Sequence, residues 1–471
     1  MNKIITSTKE LLNFSKNVFG ILLKEITNTN LKYVLIVPLL SATYYLLTMP
    51  VSYDEAWTYL YFSSRPLLTS ITTYPAPNNH ILHSIITHFA IHIPVGNILF
   101  RLRISNLLVS IFTWVLIYAF VSKFFSKISG LIVVGISSML YMSVYYSYMS
   151  RGYALETLFF TLSLFSIFKI IDESDNGMYW KCFCISNILG FYTIPTYLYA
   201  FILLNIIVLL ANTKGFKNFI KYSFFTITTV FILYLPIILN QGINTLINNR
   251  YTKPVSRFFV INNLKDFAIN TITEITGLEL CFLLPFFLLV LVALIKKRLK
   301  ISFILFIVFL FGPFIILIAH SVIPHTRTFN YYSLIILFVP ISVFNSYIKN
   351  RKEIYIVPIV IVFQVLLLLN FSNKIKYYEG GNIAIHEINK TILMYGKTYY
   401  TNSDLFYHDF KFEALTNKIV SKEICFPYSG INVSSDTISN FDYIILDRKY
   451  DITKIKKPIY TDNFLNIYTN K

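Results

Sequence analysis

Apolar residues in this chain fall in long unbroken runs separated by short polar connections, a pattern that neither a soluble amphipathic helix nor a half-buried strand produces. Runs of roughly 20 apolar residues are long enough to cross a bilayer as helices. Candidate spans lie near residues 33–50, 104–121, 128–146, 154–171, 182–194, 196–211, 222–239, 277–295, 301–319, 331–348 and 354–371, eleven in all. Between 182 and 211, Ile194-Pro195-Thr196 marks a turn joining one short and one normal span. A membrane β-barrel would alternate in ten-residue segments, which the continuous run Phe303 to Leu317 does not. Residues 1–32 place Lys3, Lys9, Lys16 and Lys24 among Leu11, Leu12, Val18, Leu22 and Leu23, which predicts a cytoplasmic amphipathic helix on the membrane surface. Residues 372–471 turn polar, with strand-like pieces Thr398–Thr401 and Tyr443–Leu446 and a helix-like stretch at 382–394. The expected class is an all-α polytopic membrane protein, its membrane domain at 33–371 carrying a long loop at 51–100, with a small extracytoplasmic α/β domain at 372–471.

Composition agrees. Of 471 residues, 55% are hydrophobic and 14% charged, where a soluble chain carries about 25% charged residues. The net charge of +18 would suggest nucleic acid in a soluble protein, but no basic stripe is interleaved with aromatics as that partner needs. It fits cytoplasmic loops and anionic headgroups instead, so membrane lipid is an expected partner and nucleic acid is not. With the N-terminus inside, the inner connections hold Lys123 and Lys127, Lys214 and Lys217, Lys296-Lys297-Arg298, and Lys349, Arg351 and Lys352. The segment 241–276, with Arg250, Lys253, Arg257 and Lys265, is the exception. An odd number of spans puts the carboxy-terminal domain outside. Cys182, Cys184, Cys281 and Cys425 form neither a disulfide framework nor a zinc knuckle. No cleavage-site pattern follows the first apolar run.

The chemistry-bearing residues gather in the outer connections. Tyr53-Asp54-Glu55-Ala56-Trp57 follows the first span and sets two carboxylates beside the membrane surface. A carboxylate near low dielectric has a raised pKa and can act as general base toward a hydroxyl or amine; an acidic pair also simply stabilises a helix start. The loop 51–100 is too long to be idle and too apolar to be disordered, which predicts helices along the interface. It holds Asn78-Asn79-His80, then His83, His88 and His92, the last two at the i, i+4 spacing of two metal ligands on one face. Histidines that only hydrogen-bond are the commoner case. Arg151, between the third and fourth spans, and His325-Thr326-Arg327, between the ninth and tenth, face the same side. Arginines at this depth can hold a phosphate bidentately, or snorkel to lipid phosphates.

These residues together resemble the GT-C superfamily of polyprenyl-phosphate-dependent glycosyltransferases, in particular the bacterial family 39 group related to protein O-mannosyltransferases and aminoarabinose transferases. Asp54-Glu55-Ala56 resembles the acidic pair after the first span, and Asn78-Asn79-His80-Ile81-Leu82, with His88 beyond, resembles the N-N-H-P-L signature and its second histidine. Arg103-Ile104-Ser105-Asn106 resembles the R-L-P-S opening of the second span, and Arg151-Gly152-Tyr153-Ala154-Leu155 the A-R-x-Y-A-L element. The likeness covers residues 33–211; beyond them it rests on span count and Arg327. Ile81 and Ser105 replace family prolines, and Met149 stands where an acidic residue often precedes the arginine, which puts a metal-assisted version in doubt.

The resemblance implies transfer of a sugar from a polyprenyl-phosphate donor to a protein, glycolipid or polysaccharide acceptor, with inversion, on the periplasmic face of a bacterial inner membrane. Asp54 and Glu55 would be the catalytic pair, with Asp54 the base and Glu55, like His80, orienting. Asn79, His80, His88, Arg151, Tyr153, His325 and Arg327 would bind substrate. It requires no nucleotide, and the chain has no Gly-rich phosphate loop; no metal site is assigned and a divalent cation requirement stays open. The competing reading is a transporter or lipid flippase, which would place charges or Gly/Pro breaks near the midplane of several spans.

Overall fold

A computed structural model of the chain describes residues 30–211, 215–248, 253–297, 300–392, 397–417, 423–425, 441–447, 458–461 and 465–469. The amphipathic helix expected within 1–32 lies almost wholly outside them. All eleven predicted spans are helical. Among the described residues, seven helices are long and apolar enough to cross a membrane: Leu31–Thr48, Ile98–Phe124, Tyr153–Asp172, Phe216–Gln241, Ile301–His320, Thr326–Ile348 and Glu353–Tyr378. Lys127–Ser137 and Tyr141–Tyr148 make an eighth if counted as one broken span, bent by 73°. The other three predicted spans correspond to the helices Gly177–Thr193, Leu198–Ala211 and Leu280–Lys297. Gly177–Thr193 and Leu198–Ala211 are shorter, with 17 and 14 residues, the first near the lower limit of about 17 residues for a span. The 3₁₀ turn Pro195–Tyr197 joins them, at the predicted turn. Pro236, Pro313 and Pro340 lie inside continuous helices, as membrane helices allow.

The side chains argue for lipid independently of length. Phe224 and Leu239 on Phe216–Gln241, and Ile354 and Leu366 on Glu353–Tyr378, are all more than half exposed. A contiguous apolar surface of that kind is out of place in water.

The chain divides into two compact units. The first comprises residues up to 45 together with 71–83 and 104–371. Its interior is aromatic: Phe120 stacks on Phe338 with centroids 5.0 Å apart, and Phe160 on Tyr331 at 4.5 Å. Gln364, fully buried, donates to the carbonyls of Val34 and Gly135 at 2.8 and 2.9 Å. One amide thereby ties three helices together.

The second unit comprises 46–70, 84–103 and 372–471. Its sheet has five strands, β1 (Thr398–Thr401), β2 (Glu423–Cys425), β3 (Tyr443–Asp447), β4 (Tyr460–Thr461) and β5 (Leu465–Thr469), in the order β2-β1-β3-β5-β4. β1 runs parallel to β2 and β3, and β5 antiparallel to β3 and β4. Helices Gly380–Ile392 and Asp404–Thr416 cover it, burying Ile385, Ile388, Phe406 and Phe410 against Tyr399, Ile445 and Ile467. The predicted strands β1 and β3 and the predicted helix near 382–394 are all present.

Candidate active site

Ser52-Tyr53-Asp54-Glu55 has the S-x-x-E spacing of a capping box, and the chain folds accordingly. Ser52 Oγ accepts from the Glu55 amide at 3.3 Å and Glu55 Oε2 accepts from the Ser52 amide at 3.1 Å, opening the helix Tyr53–Thr58. Glu55 is fully buried and ion-paired with the equally buried Arg103, from which Oε1 accepts at 2.8 Å and Oε2 at 2.6 Å. Arg103 also donates to the carbonyls of Leu46, Met49 and Pro50. Glu55 is thus committed to structure. Asp54, beside it in the first turn, is half-buried.

In the same unit, Asp404–Thr416 packs on this acidic helix. Tyr53 donates to Asp404 Oδ2 at 2.7 Å, and Phe412 shares a core with Val51, Ala56, Ile91 and Leu102. His408 Nδ1 donates to the Asp404 carbonyl at 2.8 Å, leaving Nε2 to accept from the Tyr61 hydroxyl at 3.1 Å. His88 Nδ1 donates to the Ser63 carbonyl at 2.9 Å, and His92 Nδ1 to the His88 carbonyl at 2.7 Å. Among the described residues no group of three or more His, Cys, Asp or Glu side chains is placed to hold a metal ion.

The membrane unit holds a separate polar cluster at the head of Tyr153–Asp172. Asn106 Nδ2 donates to the carbonyls of Met149 and Arg151 at 2.6 and 2.7 Å, fixing the turn that carries the arginine. Its Oδ1 accepts from His83 Nε2 at 3.0 Å. Arg151 Nη1 donates to Asn78, to both the side-chain and the main-chain oxygen. Asn79, fully buried, donates to the Thr73 carbonyl at 2.8 Å and shapes the same loop. The Gly152 amide donates to His80 Nδ1 at 2.7 Å. A neutral imidazole has one N–H, so the His80 proton sits on Nε2. Arg151 Nη2 lies 3.3 Å from that nitrogen, so two N–H donors stand side by side, which an anion would bridge. Burial first, then Arg151, His83 and Arg327, lowers the His80 pKa well below its ordinary value, and burial with Arg151 pushes His83 down to about 3. Both rings are neutral. The Tyr153 ring meets His80 edge-on at 5.0 Å.

Gly152 is required by proximity. A Cβ there would lie 2.8 Å from His80 Nδ1 and 2.8 Å from Thr193 Cγ2. Arg327 sits in the 3₁₀ turn Thr326–Phe329, with exposed His325 as its N-cap residue. Phe329 of that turn lines an apolar cavity of about 110 Å³ with Phe267, Phe306, Pro313 and Tyr332.

Of the residues singled out from sequence, Asn79, His80, Arg151 and Tyr153 share this cluster, with Arg327 in electrostatic reach of His80. Asp54, Glu55 and His88 belong to the second unit. Sequence reasoning missed the roles of Asn78, Asn106 and the Arg103–Glu55 pair. The Arg-x-x-Asn spacing, which sets both side chains on one helical face, was the available signal.

No protein family matches the chain by sequence, and no curated protein does. Similar solved structures exist. ArnT from Cupriavidus metallidurans bound to undecaprenyl phosphate aligns with a TM-score of 0.55 over 92% of this chain and 96% of its own, at 9% identity. The fold is of the GT-C type. The apo state of the same ArnT gives 0.56 at 8% identity, covering 92% of this chain and 95% of its own. The Archaeoglobus fulgidus oligosaccharyltransferase complexed with zinc and sulfate gives 0.50 at 11% identity, over 88% of this chain and 68% of its own.

Proposed function

We propose that this chain is an integral membrane glycosyltransferase that moves a sugar from a polyprenyl-phosphate-linked donor to an acceptor on the periplasmic face of a bacterial inner membrane. Asp54 takes the proton of the acceptor nucleophile as its lone pair attacks the anomeric carbon. The bond from that carbon to the phosphate oxygen breaks with inversion, and polyprenyl phosphate leaves carrying the electron pair. Arg151 and Arg327 stabilise the charge that develops on it, the kind of electrostatic contribution that is usually the largest in such reactions. Glu55 orients the acidic helix through Arg103.

The observation that carries the reading is the pair of adjacent donors, His80 Nε2–H and Arg151 Nη2, held 3.3 Å apart. A phosphate oxygen is the acceptor such a pair suits. The aromatic cavity that starts at the turn of Arg327 suits an isoprenoid chain. Likeness to a fold solved with undecaprenyl phosphate supports the donor class. The acceptor is a protein, a glycolipid or a polysaccharide.

The test is release of free polyprenyl phosphate by the purified chain in lipid, donor by donor, for wild type and Asp54→Asn. Loss of a general base lowers the rate by about 10²–10⁴-fold. Near-normal turnover of the folded Asp54→Asn protein would remove Asp54 from the mechanism.

A further inference from the structure

The helix Asp404–Thr416 carries a carboxyl group that the reaction above does not use. Asp409 is 1% exposed, and neither carboxylate oxygen has a hydrogen-bond partner among the described residues. What surrounds it is acidic. Glu413 lies on its own helix, Asp54 and Glu55 on Tyr53–Thr58, and Glu379 ahead of Gly380–Ile392. Among the described residues Arg103 is paired with Glu55, and His386 Nδ1 meets Glu413 Oε1 at 2.7 Å. His408, one residue away, uses Nδ1 on Asp404 and Nε2 on Tyr61. Burial without a donor or counter-charge among the described residues favours the neutral acid over the carboxylate.

We propose that Asp409 is a neutral carboxylic acid at neutral pH and a positioning residue for Asp54, its bound proton allowing Asp404–Thr416 to pack on the acidic helix. Burial, with the four carboxylates around it, holds its pKa well above the usual carboxylate range. At acidic pH the group is neutral folded or unfolded. As pH rises from the ordinary carboxylate range to the raised folded value, the unfolded chain ionises while the folded group stays neutral, so stability is lost across that interval, and above it a charge enters the contact.

The positioning role rests on the proposed transfer reaction; the protonation state does not, and the experiment separates them. Infrared spectra of the full chain in lipid, with aspartate carboxyls carrying ¹³C, should show an isotope-shifted carboxylic acid band at neutral pH. The band should titrate away at alkaline pH and be absent in Asp409→Asn. Release of polyprenyl phosphate should decline over the same alkaline range in wild type and lose that decline in Asp409→Asn. Lack of an aspartic acid band at neutral pH, its survival in Asp409→Asn, or superimposable pH profiles would each overturn the proposal. If Asp409→Asn does not fold, the wild-type titration decides alone, because Asp409 is the buried aspartate among the described residues. Failure of release with every donor would sink the transferase reading and leave the band to be judged by itself.

Discussion

Replacing Arg103 with methionine removes a guanidinium whose five N–H groups are all engaged: two on Glu55 and three on the carbonyls of Leu46, Met49 and Pro50. Glu55 would remain fully buried with its charge uncompensated, a loss of about 3–5 kcal/mol. Carbonyls left without donors cost about 1–3 kcal/mol each before relaxation. Against a folding margin of about 5–15 kcal/mol, the lower figure alone lowers the melting temperature by roughly 6–12 °C. The assay is thermal unfolding of the purified chain in lipid for Arg103→Met, Glu55→Met and the double variant. The double variant should recover part of the loss, because an apolar pair replaces a broken ionic one while the carbonyls stay unpaired. Additive single effects, or an Arg103→Met protein melting within about 2 °C of wild type, would refute the reasoning.

Gly152→Ala pushes a Cβ into His80 and strains the 2.7 Å amide bond to Nδ1. Displacing a positioning group by about 1 Å costs roughly 100-fold, so release should fall by about 10–100-fold with the protein still folded, read by the same phosphate assay and melting curve. His83, pushed down to about 3, is neutral in the folded chain and charged in the unfolded chain once pH drops below its ordinary value of about 6.5. Its contribution is present above pH ~6.5 and lost as pH falls from there toward 3; melting temperatures against pH should fall less steeply in His83→Gln, whose amide can still donate to Asn106.

Much of the fold is legible because membrane helices announce themselves by composition, with no need of tertiary context. What was not legible is continuity: the stretch read as one span at 128–146 is two helices, Lys127–Ser137 and Tyr141–Tyr148, bent by 73°. For the site, Asn79, His80, Arg151 and Tyr153 were found as motif residues, but their grouping depends on a loop folding back over the head of Tyr153–Asp172. Glu55 read as half of a catalytic pair, because a capping box and a base pair look alike until the partner arginine is seen. Asp409 carried no signal at all. A lone aspartate in a polar helix is ordinary until both its oxygens are found buried among other carboxylates.

The second unit draws its pieces from distant parts of the chain, and the bond from Tyr53 to Asp404 joins residues 351 positions apart. At the pace of synthesis, about 5–20 residues per second, the acidic helix waits roughly 20–70 s for its partner to be made. Through that interval it exists as an unfinished surface, aromatic and exposed, at the stage where nascent chains are most open to capture by proteases or other partners. A chain halted after its last membrane helix would insert in full and still never complete this unit. Loss-of-function lesions should therefore include premature stops far downstream of every residue proposed to touch substrate.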